Sequence, residues 1–191
     1  MPHAEQNNLL WVDLEMTGLQ DDHVILEIAM IITNEKLEIV TQFPESSNGL
    51  AIHRSETELQ NIEGWSLNQH TNSGLLKRVT NSSISIEIAN ESVYDFVSKR
   101  IDEKKAVLCG NSIWVDRKFL RKEMPKLETY LHYRMIDVSS IKELVTRWHP
   151  DTIFPEKNKT HLAMDDIKES IEELKWLRSH FFIKPDYIGN A

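Results

Sequence analysis

Three apolar, strand-forming runs follow one another in the first 43 residues, and the connections between them are too short to hold a helix. Residues 7–15 form the first, around the apolar stretch 9–12. Residues 24–33 form the second, apolar on both faces except at Glu27. Residues 37–43 form the third, after the tight connection Asn34-Glu35-Lys36. Segment 16–22, with Gly18 and two aspartates, is the first turn. Such short links bring successive strands together antiparallel, so the chain is committed to a meander from its start.

Beyond residue 55 helical signals dominate. Ser55-Glu56-Thr57-Glu58 opens one helix, and residues 65–71 form a second that stops near Ser73-Gly74. Residues 85–101 repeat their apolar positions at close to 3.6 residues. Residues 106–109 read as a short buried strand closing at Gly110-Asn111-Ser112, residues 115–124 as a helix ended by Pro125, and residues 134–138 as another strand. Ser139 or Ser140 caps a helix through Trp148, and Thr160 caps the last long one, residues 161–180. Three strands followed by alternating helix and strand describe an α/β domain, a mixed β-sheet of about five strands, the first three antiparallel, flanked by α-helices. Its 191 residues are one domain's length. The reading is a single domain over 1–191, with a core at about 7–182 and a short tail at 183–191.

Composition narrows the function. No apolar run approaches the ~20 residues of a membrane helix, and the opening MPHAEQNN lacks the basic-then-apolar layout of a secretory signal. The single cysteine, Cys109, rules out a disulfide framework and a cysteine-clustered zinc site. A reduced, cytoplasmic, soluble protein with no membrane partner is expected. The net charge of −8 argues against a broad basic track for long nucleic acid, so any such substrate is short or locally held. Residues 99–126 carry nine Lys and Arg against four acids, which reads as a solvated helix face and no more than a hint of phosphate binding.

The acidic residues are more telling. Residues 1–35 contain no Lys or Arg, yet Asp13 and Glu15 lie two apart at the end of an apolar strand, so both side chains leave the same face. An unpaired carboxylate costs several kcal/mol to bury. Three arrangements relieve that cost: an exposed strand end, a distant arginine folded over it, or a hard divalent cation with oxygen ligands. Asp116 falls in the first turn of a helix just beyond the strand end at 110–112, a position that the helix dipole alone favours. In the final helix, Ala163, Ile167, Ser170, Leu174 and Leu177 define an inward stripe. Asp166 lies at the edge of that stripe and Asp165 on the solvated side. His161, one turn earlier, can take a proton near neutral pH, or can simply face water. Together, four carboxylates and one histidine suit two-metal hydrolysis of a phosphodiester, with the histidine accepting the proton of the attacking water.

The segment Asp13-Leu14-Glu15-Met16-Thr17-Gly18-Leu19, the segment Cys109-Gly110-Asn111-Ser112-Ile113, Asp116, the run 132–139 and the pair Thr160-His161 with Asp166 resemble the DEDDh 3′→5′ exonucleases, of ribonuclease H-like fold. Trp65, His70-Thr71 and the 132–139 run point to the oligoribonuclease branch, and the resemblance spans about residues 7–182. It implies that Asp13, Glu15, Asp116 and Asp166 bind two Mg²⁺ or Mn²⁺ ions, with His161 as general base. It also implies a substrate surface of Thr17, Leu19, Trp65 and His70. Leu19 would wedge against the terminal bases, Trp65 would stack on the 3′ base, and His70 would contact the scissile region. Ser112, Arg134 and Ser139 would cap the 5′ phosphate, with Tyr133 supplied by the second subunit of a homodimer. The implied substrates are short RNA oligonucleotides of roughly two to five nucleotides, dinucleotides above all, which an acidic body with a local site can hold. Trp114-Val115 departs from the family pattern just before Asp116.

Overall fold

The leading apolar runs pair as a meander in the computed structural model, which describes residues 7–46, 48–156 and 162–182. Strand β1 (Leu9–Met16) lies antiparallel to β2 (Ile25–Thr33), and β2 antiparallel to β3 (Ile39–Phe43). A two-residue strand, β4 (Leu50–Ala51), also pairs with β2. Four helices then precede the next strand. These are α1 (Glu56–Leu59), closed by a capping box between Ser55 and Glu58, α2 (Gly64–Asn72), α3 (Leu75–Asn81) and α4 (Ile86–Ser98). Strand β5 (Val107–Gly110) runs parallel to β1, and helices α5 (Trp114–Glu123) and α6 (Pro125–Tyr130) lead to β6 (Met135–Asp137), parallel to β5. Helices α7 (Val138–Trp148) and α8 (Ala163–Phe181) complete the described chain. The sheet order is β3-β2-β1-β5-β6, with β4 on β2 as a sixth strand.

Alternation along β1 divides the core in two. Leu10, Val12 and Leu14 point to one face and pack with Val93 and Val97 of α4, Phe119 of α5 and Leu127 of α6. Trp11 points to the other and packs with Val145 of α7 and Ile167 and Ile171 of α8. Every residue of β2 is buried, so that strand is covered on both faces. Each large apolar side chain withdrawn in this way contributes about 1.5–3 kcal/mol. The helices α7 and α8 therefore lie over the face of β1 from which Asp13 and Glu15 also project.

Several local features depart from the sequence-based expectations. Helices α3 and α6 begin at signals that read as stops, Gly74 and Pro125. Gly74 holds a left-handed backbone (φ +75°), and Pro125 occupies the first turn of its own helix, where its missing N–H is harmless. The cap of α7 is Asp137, not Ser139 or Ser140: the Asp137 side chain accepts the Ser139 amide, while the Ser139 hydroxyl is engaged by Asn111 and Ser112. Helix α8 opens from Leu162; Thr160, His161 and the tail 183–191 lie outside the described residues. Among the described residues no helix is long and apolar enough to cross a membrane.

Candidate metal centre

Asp13 and Glu15 alternate with Leu14 along β1, and the register shifts between Glu15 and Met16, a bulge that ends regular pairing beside the pair of acids. Asp166 sits in the first turn of α8, above the same face. Carboxylate oxygens of Asp13, Glu15 and Asp166 lie within 4.8 Å of one another. Asp116 approaches from the first turn of α5, at the carboxyl end of β5. It is buried, and its Oδ1 accepts the Leu14 amide at 3.0 Å. It stands outside the three-oxygen group, yet its charge is the strongest one acting on Asp13.

The electrostatics follow from burial and crowding. Desolvation, then Asp116, Glu15, Asp166 and Glu27, hold the Asp13 carboxyl well above the usual range. Desolvation and the charges of Asp166, Glu27 and Asp116 push Glu15 up to about 8, against a smaller opposing pull from Arg78. Desolvation raises Asp116 to about 7, offset by hydrogen bonds from its own amide and that of Leu14. Like charges this close disfavour one another's ionised form. A divalent cation reverses the penalty, and an all-carboxylate donor set suits a hard ion. Cys109 is buried and its thiol is pushed up by desolvation, so it offers no competing soft ligand.

Around this centre the substrate candidates fall into three settings. Leu19, on the 17–23 loop, and Trp65, at the start of α2, are exposed large apolar side chains. Thr17 is buried: its Oγ1 accepts the Val24 amide and its carbonyl accepts the Glu63 amide, which ties the loop to the base of α2. Gly18 packs so closely that a Cβ there would lie 2.0 Å from the His23 ring. His70 is also buried, with Nε2 2.9 Å from the Met16 carbonyl and Nδ1 3.8 Å from Glu15 Oε2. Burial lowers its pKa.

Ser112 and Ser139 meet at the carboxyl ends of β5 and β6, with their hydroxyls 3.3 Å apart. The Ser112 amide donates to both Asp137 Oδ1 and Ser139 Oγ, which holds Ser112 at φ +48°, a conformation costly for a residue with a Cβ. Arg134 and Tyr133 precede β6, at its other end, with the Arg134 guanidinium 5.3 Å from the Tyr133 ring centre and Tyr133 strongly exposed. Sequence reasoning missed the roles of Asn111 and Asp137. Asn111 bridges Ser139 to Ser170 and Glu173 of α8. Asp137 joins the two strand ends, and its signal was its place in the 132–139 run. A cavity of about 700 Å³ along α8, lined in part by Pro155, Lys168 and Trp176, contains none of the four carboxylates.

The RNase_T family of exonucleases matches residues 10–174. The oligoribonuclease of Vibrio vulnificus (strain CMCP6) is 49% identical over 184 residues, 95% of this chain and 99% of that protein. The oligoribonuclease of Acinetobacter baylyi is 45% identical over 186 residues, 96% of this chain and 100% of that protein. Among solved structures, E. coli exonuclease I in complex with a 5cy-dT13 oligonucleotide has a TM-score of 0.70 at 13% identity, covering 92% of this chain and 41% of that one. The zinc-bound form of the E. coli enzyme with single-stranded DNA gives 0.73 at 12% identity, covering 96% of this chain and 43% of that one. At that identity the likeness is one of fold.

Proposed function

The chain belongs to the RNase_T exonuclease family and, within it, to the oligoribonucleases, and from that premise we propose a 3′→5′ exoribonuclease that hydrolyses very short RNAs, 5′-phosphorylated dinucleotides above all, to 5′-mononucleotides. The observation that carries the reading is the approach of the Asp13, Glu15 and Asp166 carboxylates to within 4.8 Å, with Asp116 behind them. These four would hold two divalent ions, Mg²⁺ or Mn²⁺. When bound, such a pair activates a water and stabilises the leaving oxygen of a phosphodiester. His161, five residues before Asp166, takes the proton of the attacking water, a task suited to an imidazole, the side chain that exchanges a proton near neutral pH. His70 is buried with Nδ1 3.8 Å from Glu15 Oε2, so in place of the direct contact with the scissile region that the resemblance implied, it would act there through Glu15.

Length selection follows from the surrounding residues. Leu19 and Trp65 give the bases apolar surfaces, and stacking of ~1–3 kcal/mol per base tolerates any sequence. The Ser112 and Ser139 hydroxyls, with Arg134 and the Tyr133 of a second copy, receive the 5′ phosphate. A cap of that kind is filled only when the 5′ end lies close to the scissile bond. A homodimer is supported by exposed Tyr133 and Met135 at the sheet-edge strand β6, with exposed Leu144 and Trp148 on neighbouring α7. An exposed apolar edge is a surface that a second chain would cover.

The test is release of mononucleotide from a 5′-phosphorylated diribonucleotide with Mg²⁺, then with excess chelator. Turnover that stops on chelation and in Asp13→Ala supports the reading. Dinucleotide binding that survives chelation, with no mononucleotide released, would mean a binding module instead.

A further inference from the structure

A buried charge that the proposed reaction does not use lies beside the carboxylate cluster. Glu27 stands within β2, wholly buried, at the register position opposite Glu15. Directly opposed residues of an antiparallel pair share a face, their Cβ atoms about 4.5–5.5 Å apart. Its partner is Arg78 of α3, whose Nη1 lies 2.5 Å from Glu27 Oε1 and also donates to the Gly49 carbonyl at 3.3 Å. Gly49 leaves the room this needs, since a Cβ there would come within 2.6 Å of Glu27 Cγ. Strand, helix and loop are thus shaped around one ion pair.

Folding alone does not call for that pair. Well-packed apolar residues of similar volume replace a buried ion pair at little or no cost in stability, and often with a gain. The pair is also imperfectly satisfied: Glu27 Oε2 and Arg78 Nη2 are buried without a hydrogen-bond partner among the described residues. Arg78 nevertheless brings its positive charge to the residue opposed to Glu15 in the β1–β2 register, while its own contacts are with Glu27 and the Gly49 carbonyl.

We propose that Glu27 and Arg78 are a positioning pair for the metal centre: Arg78 is a standing counter-charge for Glu15, and Glu27 tethers it so that it does not close onto Glu15 and take the place of a divalent cation. The proposal rests on Glu15 as a metal ligand. It gives the two residues opposite signatures, which a merely structural pair would not show. In Glu27→Gln the tether is lost and Arg78 competes for Glu15. In Arg78→Met the competitor is absent and only the resting stability of the protein suffers.

The experiment measures Mn²⁺ binding calorimetrically to the full chain, alongside thermal melts with chelator or Mn²⁺ and steady-state cleavage of a 5′-phosphorylated diribonucleotide. Glu27→Gln is expected to lose at least about tenfold in Mn²⁺ affinity and in kcat, with KM for the dinucleotide near the wild-type value. Arg78→Met is expected to keep wild-type or higher Mn²⁺ affinity, with a lower Tm in chelator and a larger Mn²⁺-induced rise. The double variant is expected to recover most of the affinity lost in Glu27→Gln. A Glu27→Gln variant that binds Mn²⁺ like the wild type, or a double variant weaker than Glu27→Gln, overturns the proposal. If Glu27→Gln does not melt cooperatively, Arg78→Met decides alone: a loss of Mn²⁺ affinity there overturns the idea, and its retention with the larger Tm rise supports it. Wild-type protein that binds no Mn²⁺ overturns the metal-centre reading and this proposal with it, whereas the preceding failures leave that reading standing.

Discussion

Replacing Glu15 by glutamine removes one titratable carboxyl from a crowded, desolvated cluster while keeping the shape of the side chain. Burial and the neighbouring Asp166, Glu27 and Asp116 push this carboxyl from 4.5 up to about 8. A carboxyl raised in the folded state binds more protons there than in the unfolded chain, so stability falls as pH rises from 4.5 towards 8. At ~1.4 kcal/mol per unit, the interval from 4.5 to neutral pH corresponds to about 3 kcal/mol of destabilisation of the metal-free protein. The glutamine amide is itself costly to bury, so a net gain of about 1–2 kcal/mol is expected, or about 3–6 °C in Tm for a chain of this length. Near pH 5 the same interval leaves less than about 1 kcal/mol, and the gain should largely vanish. Scanning calorimetry in chelator near pH 5 and pH 7 reads both quantities. Mn²⁺ should raise the Tm of the wild type by mass action and leave the variant nearly unmoved. A variant no more stable than wild type at neutral pH, or a gain that ignores pH, would refute the electrostatic reasoning.

Other substitutions separate chemistry from architecture. His161→Ala should lower kcat on a diribonucleotide by about 10²–10⁴ with an unchanged melting curve, and near-native turnover would remove the histidine from the mechanism. Trp65→Ala should raise KM by about fivefold to a hundredfold, the equivalent of one lost stacking contact, while kcat holds within a few-fold; an unchanged KM would exclude base stacking there. Arg54 is buried, with Nε on the Ile25 carbonyl at 2.8 Å and Nη2 on Glu123 Oε2 at 2.7 Å. Arg54→Met should therefore cost about 3 kcal/mol in urea unfolding by leaving Glu123 the Ile25 amide as its remaining donor, and a loss under about 1 kcal/mol would show that Glu123 finds water instead.

Much of this architecture is legible in the residues, and the illegible parts have specific causes. The three leading strands announce themselves because β2 is buried on both faces and therefore apolar throughout, which made Glu27 visible as an exception. Its meaning was not visible: Arg78 lies 51 positions away on α3, a seven-residue helix with two buried side chains, Leu75 and Val79, and so little periodic signal. Period-two spacing was enough to put Asp13 and Glu15 on one face, and a helical projection was enough to prefer Asp166 over Asp165. Asp166 joins the carboxylate group, while Asp165 lies 4.0 Å from Lys168 with its side chain 42% exposed. Asp116 was harder, because an acid in the first turn of a helix has a bland explanation. Its hydrogen bond with the Leu14 amide, 102 positions earlier, and its charge on Asp13 tie it to β1, and neither is visible in local sequence. The Ser139 hydroxyl looked like a helix cap because local sequence does not reveal that Asn111 and Ser112 hold it across the strand ends.

The central claim is that four carboxylates assemble a divalent-metal centre whose surroundings admit only the shortest RNAs. A direct measurement mixes a 5′-phosphorylated diribonucleotide with a 20-nucleotide RNA in one reaction, with Mg²⁺ or with chelator, and follows both by chromatography. The account predicts rapid conversion of the dinucleotide to mononucleotides, slow loss of the longer RNA, and no reaction of either in chelator. Equal rates on the two substrates, or cleavage that continues in chelator, would contradict it.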